Sequence, residues 1–119
     1  MIKSSYTYNI NEFDACIWEY GLFDKDSILL DIETTGLSAE KSRIYLIGCM
    51  YQKDDALIET LFFSENDCDE GDVISSVLDM LYSFKRIITY NGNSFDLPFI
   101  KKRAFHLGLL PQIIDELDS

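Results

Sequence analysis

The stretch Ser27-Ile28-Leu29-Leu30-Asp31-Ile32-Glu33-Thr34-Thr35-Gly36-Leu37 begins as an apolar run and ends in two acids and a turn. Ile28-Leu29-Leu30 together with Ile32 predicts a short buried strand. Side chains at i and i+2 of a strand share a face, so Asp31 and Glu33 project together while Ile32 turns into the core. Two carboxylates held side by side repel each other unless a cation sits between them. Hard, oxygen-liganded Mg²⁺ or Mn²⁺ is the natural candidate. A solvated strand end carrying two exposed acids is the alternative that these residues leave open.

A second signal lies downstream. Ile87-Ile88-Thr89-Tyr90 predicts another short strand, running into Asn91-Gly92-Asn93-Ser94-Phe95-Asp96-Leu97-Pro98. Asn-Gly-Asn-Ser is turn chemistry, and Asn93 or Ser94 suits a helix N-cap. Proline is tolerated in the first helical turn, where its missing N–H had no partner to lose. Asp96 is therefore expected on the first turn of a helix at a strand exit. That position favours a carboxylate electrostatically, and strand exits are where open α/β sheets bind ligands. A helix-start aspartate is commonplace alone; paired with the Asp-x-Glu strand it points to one shared site.

Asp31 to Leu37 resembles the first exonuclease motif of the DEDD 3′–5′ exonucleases, which have an RNase H-like fold, and Tyr90 to Ile100 resembles their second. The Asn91-x-x-x-Phe95-Asp96 core is similar to the exonuclease domains of family B DNA polymerases. The wider wording Thr89-Tyr90-Asn91-Gly92-x-Ser94-Phe95-Asp96-Leu97-Pro98 more closely resembles the YprB-type RNase H-like family of predicted exonucleases. The likeness runs from Ser27 to Arg103. It implies a metal-dependent nuclease that shortens nucleic acid from a 3′ end with two Mg²⁺ or Mn²⁺ ions about 4 Å apart. By the same resemblance Asp31 bridges both ions, Glu33 ligates the water-activating one, and Asp96 holds the second, directly or through water. Backbone N–H groups at Thr34 and Thr35 are implied to hold the terminal nucleotide, and Leu37 to wedge against its base. A loop leucine packed on the domain is the plain alternative for Leu37. Asn91 is expected to reach the substrate backbone or to brace its turn, Phe95 to join the core, and His106 to be solvated.

The chain also departs from that pattern. The exonucleases place a fourth acid in a third motif, Tyr-x-x-x-Asp or His-x-x-x-x-Asp, whose Tyr or His orients the attacking water. Here His106 is followed at the required offset by Pro111, and neither Asp115 nor Asp118 has a Tyr or His at the right spacing. The expectation is one incomplete RNase H-like domain over residues 1–119, cut from a longer protein and weakly active or inactive by itself. Two other classes stay open: a non-catalytic nucleic-acid-binding module, and an RNase H-like endonuclease or resolvase, since one fold hosts several chemistries.

With 119 residues, 47% of them hydrophobic, the chain can bury a single core. Met1 to Tyr20 contains no apolar signal-peptide segment, and no run is long enough to span a bilayer. Cys16, Cys49 and Cys68 form no C-x-x-C pair, so reduced thiols in a cytoplasm are expected. The partner is nucleic acid rather than membrane, and the chain is expected to be a monomer or a domain fused to others. A formal charge of −11 works against approach to a phosphate backbone. Glu65 to Asp72 is expected to be a solvated loop and helix start. Lys101-Lys102-Arg103 is either a solvated helix face or a phosphate contact.

The expected elements are a short helix capped by Asn9 or Asn11, then strands at Ser27–Ile32, Arg43–Tyr51 and Ala56–Phe63 forming an antiparallel meander. The polar tetrad Gln52-Lys53-Asp54-Asp55 is expected to join the second and third. A helix over Asp72–Phe84 buries Val73, Val77, Leu78 and Leu81. A fourth strand, parallel to the first, and the Asp96 helix follow, the latter with Leu97, Ile100, Ala104 and Leu107 as its stripe. Gln112-Ile113-Ile114 begins a fifth strand. The fold class is α/β, an RNase H-like mixed sheet with helices packed on it.

Overall fold

The computed structural model describes residues 1–9, 24–54, 56–89 and 95–109. In chain order the elements are β1 (Ile2–Asn9), β2 (Ser27–Thr34), β3 (Ile44–Lys53), β4 (Ala56–Phe63), α1 (Glu70–Leu81), β5 (Arg86–Ile88) and α2 (Leu97–His106). The expected Gln112–Ile114 strand and the helix through Trp18 lie outside the described residues.

Alternation along β2 sets the layers. Ile28, Leu30 and Ile32 are buried, whereas Asp31 and Glu33 on the opposite face are exposed. β3 adds Ile44, Ile47 and Cys49 to the same core and β4 adds Phe62, all packed against Val73, Ile74, Val77, Leu78 and Leu81 of α1 and Leu97, Phe99, Ile100 and Ala104 of α2. Both helices thus contribute to a core on one side of the sheet. Burial pushes the Cys49 thiol up to about 12, so it behaves as a small apolar side chain.

The sheet order is β1-β4-β3-β2-β5. β2, β3 and β4 form the expected antiparallel meander, and β5 runs parallel to β2 through Ser27–Arg86, Ile28–Ile87 and Leu29–Ile88. The hairpin between β3 and β4 is tighter than the expected four-residue turn. Lys53 pairs with Ala56, and Asp54 takes φ 55°, a left-handed conformation that aspartate tolerates better than most residues.

Two expectations need correction, and β1 is not among the expected elements. Asn9 ends this strand, which pairs along its whole length with β4 from Ile2–Phe63 to Asn9–Ala56. β1 is an edge strand rich in Ser, Thr and Tyr and buries none of its residues, so it carries no core signature in sequence. The first helix covers Glu70–Leu81 rather than Asp72–Phe84. The acid-rich segment is not wholly solvated either, for Asp69 and Glu70 are both buried. The Asp69 carboxylate accepts from the Ser64 hydroxyl at 2.6 Å and from the Glu65 and Asn66 N–H groups, which hold its pKa well below the usual carboxylate range.

Glu70 has the larger structural role. Its carboxylate accepts from Arg103 Nε at 2.8 Å and Nη2 at 2.5 Å, and from the Ile44 N–H at 2.8 Å, while Arg103 Nη1 donates to the Ala39 carbonyl at 3.1 Å. One ion pair therefore ties together the start of α1, the start of β3, the loop after Leu37, and α2. With both partners almost fully buried, removing either strands the other's charge in the core. Arg103→Met is expected to cost about 3–5 kcal/mol in urea unfolding. Glu70→Leu combined with Arg103→Met should cost much less, because the buried N–H of Ile44 is then the principal group left without its partner.

Candidate active site at the β2 exit

β2 changes character at its last two residues. Glu33 pairs with Leu46 but Thr34 pairs with Ile44, so β3 carries an extra residue in a bulge beside Glu33. Bulges bend a strand and re-aim its side chains, and this one lies next to the paired acids. On the other edge the described residues of β5 match β2 as far as Leu29. Beyond it, the Ile32 N–H is taken up by the carboxylate of Asp96.

Asp96 stands at the N-cap position of α2, a place the sequence offered to Asn93 or Ser94, and makes no side-chain capping bond to its own helix. The turn through Phe95 and Asp96 is wider than an α-turn, a local π-helical geometry found often at functional sites. Phe95 packs on the core, its ring centroid 5.3 Å from that of Phe99. Asp96 is buried, and its pKa is raised by desolvation first and then by the negative charges of Asp31 and Glu33, against the lowering effect of the Ile32 N–H. The structure therefore brings the three predicted carboxylates within electrostatic reach of one another.

Among the described residues no three Asp, Glu, His or Cys side chains form a ready-made metal cage. The donor chemistry nonetheless suits a hard divalent cation: two exposed carboxylates and a buried one, all oxygen. There is also room. Gly48 lies directly across from Asp31 on β3 and contributes no side chain to that face; a Cβ there would meet Leu61 at 3.2 Å. Asp31, Glu33 and Gly48 line a cavity of about 360 Å³ on the sheet face away from the helices, with Leu46 and Leu61. The spacing of residues in sequence gave no hint of Gly48, whose role depends on strand register.

The other predicted residues divide. The Thr35 N–H donates to the Arg43 carbonyl at 2.9 Å and its hydroxyl accepts from the Arg43 N–H at 2.9 Å, so Thr35 closes the turn and its N–H is already used. The Thr34 hydroxyl donates to the Gly36 carbonyl at 2.6 Å. A Cβ at Gly36 would overlap the Ser42 hydroxyl, which would have to turn away to admit it. Leu37, at the tip, is 88% exposed and does not pack on the domain. Asn91 lies outside the described residues. Sequence reading missed Arg103 as the residue that anchors α2, although its place beside Ile100 and Ala104 on the buried stripe was a usable signal.

Residues 28–116 match the RNase H superfamily. The chain is 28% identical over 92 residues to DNA polymerase 1 of Saccharolobus solfataricus, covering 64% of this chain and 10% of that protein. It is 32% identical over 91 residues to a DNA polymerase of Pyrococcus glycovorans, covering 69% and 12% respectively. Among solved structures, the family B DNA polymerase from Pyrobaculum calidifontis has the same fold, with a TM-score of 0.60 at 24% identity over 73% of this chain and 12% of that one. The chain spans about a tenth of the length of these curated relatives.

The charge on Asp96 sets a pH test. Because its folded pKa lies above the ordinary 3.8, the folded state binds the proton more tightly than the unfolded one. Stability is then lost as pH rises from about that ordinary value through the folded pKa. Asp96→Asn keeps an acceptor for the Ile32 N–H and cannot ionise. In EDTA it should melt higher than the parent chain at pH 7, with the gap shrinking as pH falls to about 4.

Proposed function

The chain belongs to the RNase H superfamily, and on that premise we propose that it is the exonuclease part of a metal-dependent 3′–5′ nuclease. It has an RNase H-like fold, a five-stranded mixed sheet with helices. Within the superfamily we place it with the YprB-type predicted exonucleases, residues 1–119 forming the larger part of one domain. The observation that carries the reading is Asp96, held at the exit of β5 by the Ile32 N–H and raised in pKa by Asp31 and Glu33. A buried carboxylate repelled by two others is poorly matched to a structural role, and well matched to a cation.

In this reading Asp31, Glu33 and Asp96 would hold Mg²⁺ or Mn²⁺. When bound, the ions lower the pKa of the attacking water and stabilise the leaving 3′ oxygen. Leu37 projects from the turn, free of the domain, where it can press on the terminal base. Thr35 and Arg43 hold that turn closed, while the Glu70–Arg103 pair fixes the helix that carries Asp96. The resemblance implies a fourth acid with a Tyr or His, which this chain lacks. The sheet face beside Asp31 and Glu33, with Leu29, Leu46, Met50 and Leu61 around its cavity, would receive an apolar helix bearing that acid.

A non-catalytic binding module is the second reading, favoured by the open arrangement of the three acids. Thermal melts with increasing Mn²⁺ separate the two without needing the fourth acid. A site that binds the ion should gain about 2.7 kcal/mol at a hundred times the dissociation constant. Asp31→Asn and Asp96→Asn should each remove most of that gain. Absence of any Mn²⁺ effect, or equal effects in parent and variants, would overturn the metal-dependent reading.

A further inference from the structure

Basic residues are scarce in this chain, ten against twenty-one acids, yet they are not evenly spread. Two depressions meet along the outer side of α2, sharing Glu40 and His106. Between them they are lined by Lys41, Arg43, Lys101, Lys102 and Arg103, half of all the lysines and arginines. Three acids also line them: Glu70, paired with Arg103, Asp67, paired with Arg43 at 2.8 Å, and Glu40, so the bases outnumber the acids by five to three. The larger depression has a volume of about 770 Å³.

Its wall is built by helix periodicity. Pro98, Lys101, Lys102 and Phe105 recur at i, i+3, i+4 and i+7 and so share the outer face of α2. Leu97, Ile100 and Ala104 face the core instead. Phe105 is 78% exposed, an aromatic ring left in water beside two exposed lysines. The trough starts two residues beyond Asp96, at Pro98, and reaches Phe105 about 10 Å farther along the helix axis, at 1.5 Å per residue.

We propose that this trough holds single-stranded nucleic acid running away from the 3′ end, with phosphates on Lys101 and Lys102 and a base stacked on Phe105. A positively charged groove with an exposed aromatic platform is the pattern that binds single strands without reading sequence. An acidic peptide would use the lysines but has no need of a bare ring. The charge distribution also answers how a protein of net charge −11 can accept a polyanion: the attraction is local, along α2, rather than spread over the surface. The placement of the 3′ end beside Asp31 and Asp96 rests on the exonuclease reading; binding in the trough does not.

The test uses the whole chain in EDTA, so that nothing is cleaved, with a short fluorescein-labelled oligothymidylate followed by anisotropy. Phe105→Ala should weaken binding about tenfold, the loss of one stacked base, and Phe105→Trp should restore it. Lys101→Ala combined with Lys102→Ala should make log K less salt-dependent by about 1.4, or 0.7 per phosphate contact. These side chains are exposed, so parent and variants should melt alike. No measurable binding at low salt, or equal affinity and salt slope in parent and variants, would overturn the trough. Weakened binding in the variants with no Mn²⁺ effect in the melts would support the trough and sink the exonuclease reading instead. A clear Mn²⁺ effect with unchanged binding would do the reverse.

Discussion

The buried pair between Glu70 and Arg103 is the constraint on which the site depends. Bringing two charges out of water costs several kcal/mol per ion, and is offset only when geometry and further hydrogen bonds are good. Here they are: the guanidinium meets the carboxylate through two nitrogens, and the spare capacity of each partner is used by Ile44 N–H and Ala39 carbonyl. Such a pair contributes specificity more readily than net stability. It selects one position of α2 against α1 and β3, and α2 carries Asp96 at its N-terminus. The fork of Arg103 also has a rigidity that lysine could not supply.

That rigidity has something to oppose. The carboxylates at the end of β2 and the start of α2 repel one another, and the repulsion is strongest where Asp96 has lost its water. A fold that relied on loops to hold these acids would relax by moving them apart. Instead the Ile32 N–H fixes Asp96 on one side, the bulge after Glu33 bends the strand on the other, and Thr35 with Arg43 closes the turn between them. In the metal-dependent reading proposed above, a cation would relieve that repulsion, so the arrangement that weakens the empty protein would favour metal binding.

Charge is organised by burial as much as by count. Asp69 and Glu70 satisfy their lone pairs within the fold and exert little on the solvent side, whereas Lys101 and Lys102 stand exposed on one helix face. Net charge therefore misrepresents what an approaching polyanion meets near α2. The opposite side of the sheet is different in kind, with apolar side chains around the paired acids and no helix of the described residues over it.

Periodicity in the sequence was enough to place β2, β3, β4, α1 and α2, because alternation and the helical stripe depend only on residues close in the chain. It also singled out Asp31, Glu33 and Asp96 as candidates, since a carboxylate at a strand exit is a local departure from pattern. The edge strand β1 was not legible, because Ile2–Asn9 buries nothing and its only justification is the open edge of β4. Glu70 looked like one more solvated acid until Arg103, 33 residues away, arrived to pair with it. Gly48 became part of the site only when register set it across from Asp31. What the sequence determined by itself was each element and the chemistry it carries. What only the tertiary structure decided was which polar groups are buried and which neighbours they meet, because desolvation and pairing depend on contacts between residues far apart in the chain.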